Sequence, residues 1–397
     1  MFKFLKNPFI IYTIIWLVYM MQGILFGGTG GILGQLLLVI LLLWSMAFVI
    51  KITANVPSSI KILIALLLLY VLYGLIPIIN AEIYVFKESG EAVSSFSYLK
   101  SALLSLTPIF AYYYFSKRGY ITETNIRWLA IFFFVIIIAN FYHSEKVLLA
   151  HALERGSNAE EFTNNVGYEF LCMFPYLFFF KRKYALPLMA GISIFLILAM
   201  KRGAILIGVM CMMYYLYKWM QTASRKSKLL VLLGIIAFVV WAGYFVVDYY
   251  NGSPYFQQRI EQTLEGHSSG RDELTKVLMN YYINEASTFE QVFGCGAYGT
   301  LKHASNYAHN DWIEMLIDQG LIGALFLLAF FVALFFDVRR MRKINRTYYF
   351  AFMMLFFIVF TKTFFSMSIC AMQPYTTLLV GYFLYKVSSI KSKKLPQ

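Results

Sequence analysis

The sequence predicts an all-α, polytopic integral membrane protein with about twelve transmembrane helices. Hydrophobic residues make up 60% of its 397 residues and charged residues only 14%, whereas a soluble domain carries about 25% charged residues. Apolar runs near the length of about 20 residues that crosses a bilayer recur along the chain. Short polar segments separate these runs, and the basic ones alternate with acidic ones. A soluble globular protein is therefore excluded.

The positions of the spans follow from the apolar runs and from the helix breakers between them. The predicted spans are 8–26, 30–50, 60–80, 97–116, 128–142, 165–180, 184–200, 203–219, 229–248, 310–336, 347–366 and 374–388. Lys3 and Lys6 precede the first run as in a signal sequence, but no small-residue cleavage site follows, so we interpret this run as an uncleaved first helix. Residues 1–397 are predicted to form a single transmembrane domain.

The distribution of Lys and Arg predicts how the chain is oriented. With twelve spans, most of the 34 basic residues fall on one face, at the two chain ends and in the segments 51–61, 117–127, 181–183, 218–228 and 339–346. Lys and Arg collect on the cytoplasmic side of membrane proteins, so this face and both termini are predicted to be cytoplasmic. The net charge of +14 then reflects topology. It implies contact with membrane lipids and no nucleic acid partner.

The segment 249–309 is a long polar loop on the opposite, outer face. A connector of this length between two spans is expected to have a function. Ser253, followed by a proline, and Ser269 are typical helix starts, so the loop is predicted to contain short amphipathic helices. We therefore place the chemistry of the protein in this loop and at the start of the span that follows it.

Three basic residues are candidates for binding an anion. Arg271 lies in the first turn of a predicted helix, where free N–H groups favour a bound anion. Arg202 lies at the outer turn between two spans, and charges at membrane depth are often functional. Lys362, near the outer end of the eleventh span, invites the same interpretation with less support. The alternatives are a solvated arginine at position 271 and a snorkelling turn residue at position 202.

His309 and Asn310 open the span that follows the loop. A histidine at a helix N-terminus tends to stay neutral because the helix dipole disfavours its charged form. A neutral imidazole close to a substrate hydroxyl can act as a general base. The alternative is a histidine that only caps the helix. Four carboxylates are close enough in sequence to serve as bases instead: Asp272, Glu273, Asp311 and Glu314.

The glycine cluster Gly294–Gly299 formally matches the dinucleotide-binding pattern, but no strand precedes it, so we exclude a nucleotide site. A turn at Gly294 and Gly296 that lets the backbone approach a ligand closely is the better interpretation.

The cysteine spacing and the absence of several sequence motifs limit the chemistry. The four cysteines show no paired spacing, so neither a zinc site nor a disulfide framework is predicted, although a bond between Cys295 and Cys370 stays open. The sequence also lacks a P-loop, an H-E-x-x-H motif, a G-x-S-x-G motif and a D-x-D acidic pair. Chemistry on the outer face without a metal or another cofactor is therefore expected.

Five short sequences follow one another in a fixed order along the second half of the chain. They are Arg202–Leu206 at the start of a span, Gly270-Arg271, Phe293–Gly296, His309-Asn310 and Gly320–Gly323. This series resembles the O-antigen ligase and O-antigen polymerase (Wzy-type) superfamily of bacterial membrane proteins. The resemblance covers about 200–325 in detail.

The resemblance implies a metal-independent, GT-C-like membrane glycosyltransferase with its active site on the periplasmic face of the bacterial inner membrane. Such an enzyme transfers a glycan from undecaprenyl diphosphate to a glycan or lipid acceptor. The resemblance implies that Arg202 and Arg271 bind the carrier diphosphate and that His309 is catalytic. Asn310, Asp311, Glu314, Gly294, Gly296 and Lys362 are the candidate supporting residues.

Two related activities and one different class remain as alternatives. A surface polysaccharide polymerase, which joins carrier-linked repeat units with inversion, is favoured because such proteins are numerous. An O-antigen ligase, which transfers the glycan to lipid A–core, would use the same chemistry. A polysaccharide flippase would also have twelve spans, but we expect it to carry charges in the middle of several spans and internal repeats. For a polymerase, a chain-length regulator and a flippase are expected partners.

Overall fold

A computed structural model of the chain describes residues 7–27, 31–52, 56–80, 82–86, 92–154, 164–221, 224–252, 257, 261 and 271–393. Its α-helices are α1 (Pro8–Met20), α2 (Gln22–Phe26), α3 (Ile32–Lys51), α4 (Ser58–Ile79), α5 (Ser95–Lys117), α6 (Glu123–Glu154), α7 (Gly167–Leu171), α8 (Arg182–Leu198), α9 (Arg202–Met220), α10 (Arg225–Gly252), α11 (Arg271–Asn280), α12 (Thr288–Phe293), α13 (Gly299–His303), α14 (Asp311–Met341), α15 (Arg346–Phe365) and α16 (Pro374–Lys393). Two short strands, β1 (Ile83–Val85) and β2 (Ala92–Ser94), pair antiparallel between α4 and α5 and were not predicted.

The helices confirm the predicted class of an α-helical membrane protein. Among the described residues, six helices are long and apolar enough to cross a membrane, namely α3, α4, α6, α9, α14 and α15. The fifth predicted span lies within the much longer α6. The sixth, 165–180, is not one α-helix. It consists of α7 and a separate 3₁₀ helix over Phe174–Phe179, which has a proline in its first turn.

Asparagine side chains begin several of the helices. Asn310 accepts hydrogen bonds from the backbone N–H groups of Trp312 and Ile313, at 2.9 and 3.3 Å, and so caps α14. Asn345 caps α15 in the same way. These side chains satisfy N–H groups that have no partner within a helix, which fixes the first residue of each helix. The position of residue 309, directly before α14, is therefore set by a local interaction.

The main core is rich in aromatic residues and centres on α5, which packs against α3, α4 and α16. Tyr112, on α5, is fully buried and contacts the rings of Phe9 and Tyr12 edge to face. Gly381, on α16, lets the two helices approach closely, since a Cβ there would lie 2.6 Å from the carbonyl oxygen of Ile109. Small residues at such crossings are typical of membrane helix packing.

Residues 271–308, here called the cap, fold onto the N-terminal part of α14. The cap contains α11, a π-helical turn over Tyr281–Glu285, α12 and α13. Its second, smaller core includes Leu278 and Tyr281 and reaches Ile317 on α14. The predicted helix starting at Ser253 and the predicted start at Ser269 lie outside the described residues, and the described helix begins at Arg271. The later half of the predicted loop is thus a folded unit attached to α14.

Candidate active site

A cavity of about 340 Å³ lies where the cap meets the helix bundle. Its walls come from α7, the chain before α9 and α14, the start of α11, the last turns of α15 and the start of α16. The remaining wall is the stretch 366–373 between α15 and α16, here called the wall segment. The charge pattern predicts that all of these helix ends and connecting segments lie on the outer face.

Four basic side chains from separate parts of the sequence line this cavity: Lys201, Arg271, His309 and Lys362. All four are partly exposed. Three of them were singled out in the sequence, and the structure brings these three together. A cavity with this lining is suited to an anion with several negative oxygens, such as a diphosphate.

Arg271 is held in place at the edge of the cavity. Its guanidinium Nη1 donates a hydrogen bond of 2.9 Å to the carbonyl oxygen of Phe365, the last residue of α15. That carbonyl belongs to a helix end, where it has no partner within the helix. The guanidinium also lies beside the Tyr168 hydroxyl. These two contacts leave further N–H donors on the same planar group, since an arginine carries five.

His309 has a backbone conformation that is uncommon for residues with side chains. Its φ is 53°, in the left-handed region, directly before the Asn310 cap of α14. Histidine and asparagine tolerate this region better than most residues. Burial lowers the pKa of His309, and the nearby charges of Arg271 and Lys201 lower it further. The ring is therefore neutral at pH 7, as expected, and burial is the largest cause.

Lys201, rather than Arg202, lines the cavity. The turn between α8 and α9 passes through Met200, whose φ is 52°. Lys201, the N-cap residue of α9, then has an extended backbone. Arg202 is the first helical residue, and its side chain is exposed. Gly203 follows, and the Tyr168 hydroxyl lies 2.7 Å from where a Cβ would stand. The glycine thus allows α7 to pack against the start of α9.

Lys362 and Glu169 face the same cavity from α15 and α7. The Lys362 Nζ lies 5.5 Å from the ring centre of Tyr168. Glu169 was missed in the sequence, although a signal was present, because it is the one charged residue in the predicted span 165–180 before Lys181. Charged residues within apolar spans are candidates for function.

Asp311 and Glu314 are buried and occupied by hydrogen bonds, and neither lines the cavity. The Asp311 Oδ2 accepts hydrogen bonds from the backbone N–H groups of Ser368, at 2.8 Å, and Ile369, at 3.1 Å. Glu314 accepts from the Thr300 hydroxyl, at 2.8 Å, and from the N–H of Ala308, at 2.6 Å. Asp311 therefore holds the wall segment, and Glu314 holds the end of the cap. Their positions favour a structural role over that of an alternative base.

Gly294 and Gly296 approach a helix, and neither lines the cavity. Helix α14 is broken at Gly320, whose φ is 67°. The carbonyl groups of Ile317 and Asp318, just before the break, accept hydrogen bonds from the N–H groups of residues 295 and 296, at 2.8 and 3.0 Å. A Cβ on Gly294 would lie 2.4 Å from the Asp318 carbonyl, so only glycine allows this backbone crossing.

Cys295, Cys370 and His303 do not line the cavity. The four cysteines, all within the described residues, are free thiols, so the open alternative of a bond between Cys295 and Cys370 is not realised. Among the residues that the structure describes, no group of three or more His, Cys, Asp or Glu side chains is arranged to hold a metal ion. His303 stacks on Tyr281, with ring centres 3.5 Å apart. His267 lies outside the described part of the chain.

The fold and the cavity together define the class of the protein: an α-helical membrane protein with a basic cavity where a folded cap meets its helix bundle. No model of a known protein family matches the chain, and no curated protein matches it.

Proposed function

We propose that the chain is a membrane glycosyltransferase that uses an undecaprenyl-diphosphate-linked oligosaccharide as donor, and that it joins repeat units as an O-antigen or surface polysaccharide polymerase. The observation that carries this proposal is the meeting of Lys201, Arg271, Lys362 and the neutral His309 at one cavity. Three cations suit the diphosphate of the carrier, and a neutral imidazole beside them suits a general base. The resemblance to the O-antigen ligase and polymerase superfamily is the second support.

In the proposed reaction, the His309 imidazole accepts the proton of an acceptor sugar hydroxyl. The hydroxyl oxygen forms a bond to the anomeric carbon of the donor while the bond from that carbon to the diphosphate oxygen breaks. Undecaprenyl diphosphate leaves with the electron pair, and Arg271, Lys201 and Lys362 stabilise its charge. A single displacement inverts the anomeric configuration. No metal or other cofactor takes part in this scheme.

The assignment of the diphosphate contacts departs from the resemblance at one position. The resemblance implies Arg202, whereas the neighbouring Lys201 lines the cavity. We therefore assign the contact to Lys201 and leave Arg202 as the comparison residue, because it starts the same helix with an exposed side chain.

We also propose a topology with twelve spans, a GT-C-like architecture, both termini in the cytoplasm and the cavity on the periplasmic side of the bacterial inner membrane. Its supports are the charge pattern and the position of the cavity at the predicted outer ends of the helices. Cysteine labelling from outside intact spheroplasts should reach a cysteine placed at position 303 and should not reach one placed at position 342. Labelling of both positions, or only of 342, would contradict the orientation.

The direct test is turnover by the purified protein in lipid nanodiscs, with a synthetic undecaprenyl-diphosphate-linked repeat unit as donor. Chains of increasing length on the carrier are expected for a polymerase. Product on added lipid A–core and none on the carrier would establish the ligase alternative. Transfer of neither kind, with movement of the intact lipid across proteoliposomes, would establish a flippase. Lys276→Ala is the matched control for loss of a positive charge, because Lys276 is an exposed residue of the cap that does not line the cavity.

A further inference from the structure

One carboxylate in the cavity has no bonding partner at one of its oxygens. The Glu169 Oε2 is buried and, among the described residues, accepts no hydrogen bond. Burying a polar group without a hydrogen bond costs about 1–3 kcal/mol in protein experiments, and more when the group is charged. Native proteins keep few such groups, and those that persist call for an explanation. Here the explanation can be sought in the cavity, because Glu169 lines it.

A second unsatisfied group lies next to the first. The Tyr375 hydroxyl is buried, and among the described residues no well-aligned hydrogen bond satisfies it. It lies beside the Glu169 carboxylate, and Tyr375 lines the cavity as well. The Tyr375 backbone is fixed, since its carbonyl accepts a 2.6 Å hydrogen bond from the Tyr176 hydroxyl. A hydrogen-bond acceptor and a hydrogen-bond donor are thus held side by side at the cavity wall.

Lys362 does not neutralise Glu169 by direct contact. It acts on the carboxylate electrostatically, but no ion pair of 4 Å or less joins the two side chains. The other cations, Lys201 and Arg271, are partly exposed, whereas Tyr375 is only 1% exposed. The cavity therefore offers a carboxylate and a buried hydroxyl in addition to its cations.

We infer that Glu169 and Tyr375 form a sugar subsite, in which the carboxylate accepts hydrogen bonds from hydroxyl groups of the carrier-linked sugar and the phenol donates to one of its oxygens. This inference rests on the proposed function and adds a specificity-determining pair to it. A sugar offers adjacent donors and acceptors, so it can bond to the carboxylate and to the hydroxyl together. A diphosphate carries only acceptors at its charged oxygens, so it is bound by the cations and not by the carboxylate.

The test compares two lipids, undecaprenyl diphosphate and the same lipid carrying the sugar, by their affinities for the protein in nanodiscs. Glu169→Gln should weaken binding of the sugar-linked lipid by about ten- to a hundred-fold, the size expected for a hydrogen bond to a charged group. It should not weaken binding of undecaprenyl diphosphate, because it removes a negative charge from the cavity. Arg271→Ala should weaken both lipids alike. Tyr375→Phe should weaken only the sugar-linked lipid, by about three- to ten-fold, and serves as the test if Glu169→Gln does not fold.

Three outcomes overturn the inference. If Glu169→Gln and Tyr375→Phe bind the sugar-linked lipid as the wild type does, the pair is not a sugar subsite, while the proposed function stands. If Glu169→Gln weakens both lipids equally at an unchanged melting temperature, Glu169 shapes the cavity and does not recognise the sugar. If the wild type binds neither lipid, the proposed function fails and the subsite fails with it.

Discussion

Replacing His309 by asparagine is the sharpest test of the proposed general base. Asparagine tolerates the left-handed backbone that His309 adopts at φ 53°, but its amide does not accept a proton near neutral pH. Alanine at this position would add a backbone cost, since the left-handed conformation costs most residues about 1–2 kcal/mol. His309→Asn therefore removes the base and keeps the fold.

The expected loss follows from the role of the ring. General base catalysis contributes about 10²–10⁴-fold to rate, so kcat of His309→Asn should fall by that factor. Binding of undecaprenyl diphosphate should stay unchanged, because Arg271, Lys201 and Lys362 remain. The assay is turnover of the carrier-linked repeat unit by purified protein, with lipid affinity and melting temperature measured in parallel. His303→Ala is the matched control, since His303 stacks on Tyr281 away from the cavity.

The pH dependence of kcat/KM gives a second measurement of the same base. Burial and the charges of Arg271 and Lys201 lower the pKa of His309, so the ring stays neutral, and activity should persist, below the usual histidine pKa of about 6.5. Lys201→Met removes one positive charge and should move the acid limb to higher pH. An interaction of about 1 kcal/mol between the two groups corresponds to a shift of about 0.7 pH unit.

Wild-type kcat in His309→Asn would refute the base assignment. Asp311 and Glu314 would be weak replacements, because their carboxylates hold the wall segment and the cap. An acid limb that stays at the same pH in Lys201→Met would show that the limb does not report His309.

Four further outcomes are expected. Lys201→Ala should reduce kcat/KM by about ten-fold or more and Arg202→Ala by less, because only the first lines the cavity; the reverse order would support the residue that the resemblance implies. Arg271→Lys should recover little of the activity that Arg271→Ala loses, because lysine lacks the planar guanidinium that binds two diphosphate oxygens at once. Full activity in the lysine variant would show that charge alone suffices. Gly320→Ala should destabilise the protein by at least about 1–2 kcal/mol, because its φ is 67° and the new Cβ would lie 2.4 Å from the Val292 carbonyl. Gly243→Ala is the control and should melt as the wild type does, because a Cβ there would have no atom within 4 Å. Turnover should continue in EDTA, as the resemblance implies, and a loss that Mg²⁺ restores would contradict it.

The class of fold and part of the candidate site could be predicted from the sequence. Spans were predictable because apolar length and Lys/Arg bias act locally and cumulatively. Arg271 and His309 were predictable because each lies beside a helix start, and both helix starts belong to the same face. Lys362 was predictable as a charge near the end of an apolar run.

The rest depends on contacts between distant residues. Lys201 and Arg202 differ by one position at the turn that follows the left-handed Met200, and only the structure shows that Lys201 lines the cavity. Asp311 bonds to Ser368, 57 residues away, so its role as an anchor has no local signature. The need for glycine at position 294 was predictable, but its neighbour is the backbone of α14 and the sequence could not identify it. Glu169 is a lone charge in an apolar run, but only the structure shows that it lines the cavity.

The hydrogen bonds of Asp311 and Glu314 affect how mutational data on this protein should be interpreted. Both carboxylates are close to His309 in sequence, and neither lines the cavity. Asp311 nevertheless holds the wall segment, and Glu314 holds the end of the cap. In an alanine scan that measures only the product, loss of either carboxylate would therefore look like loss of the catalytic base. The reason is that displacement of the wall segment or of the cap would also abolish the product. Asparagine and glutamine at these positions would separate the two causes, since each keeps a carbonyl oxygen that can still accept a backbone N–H.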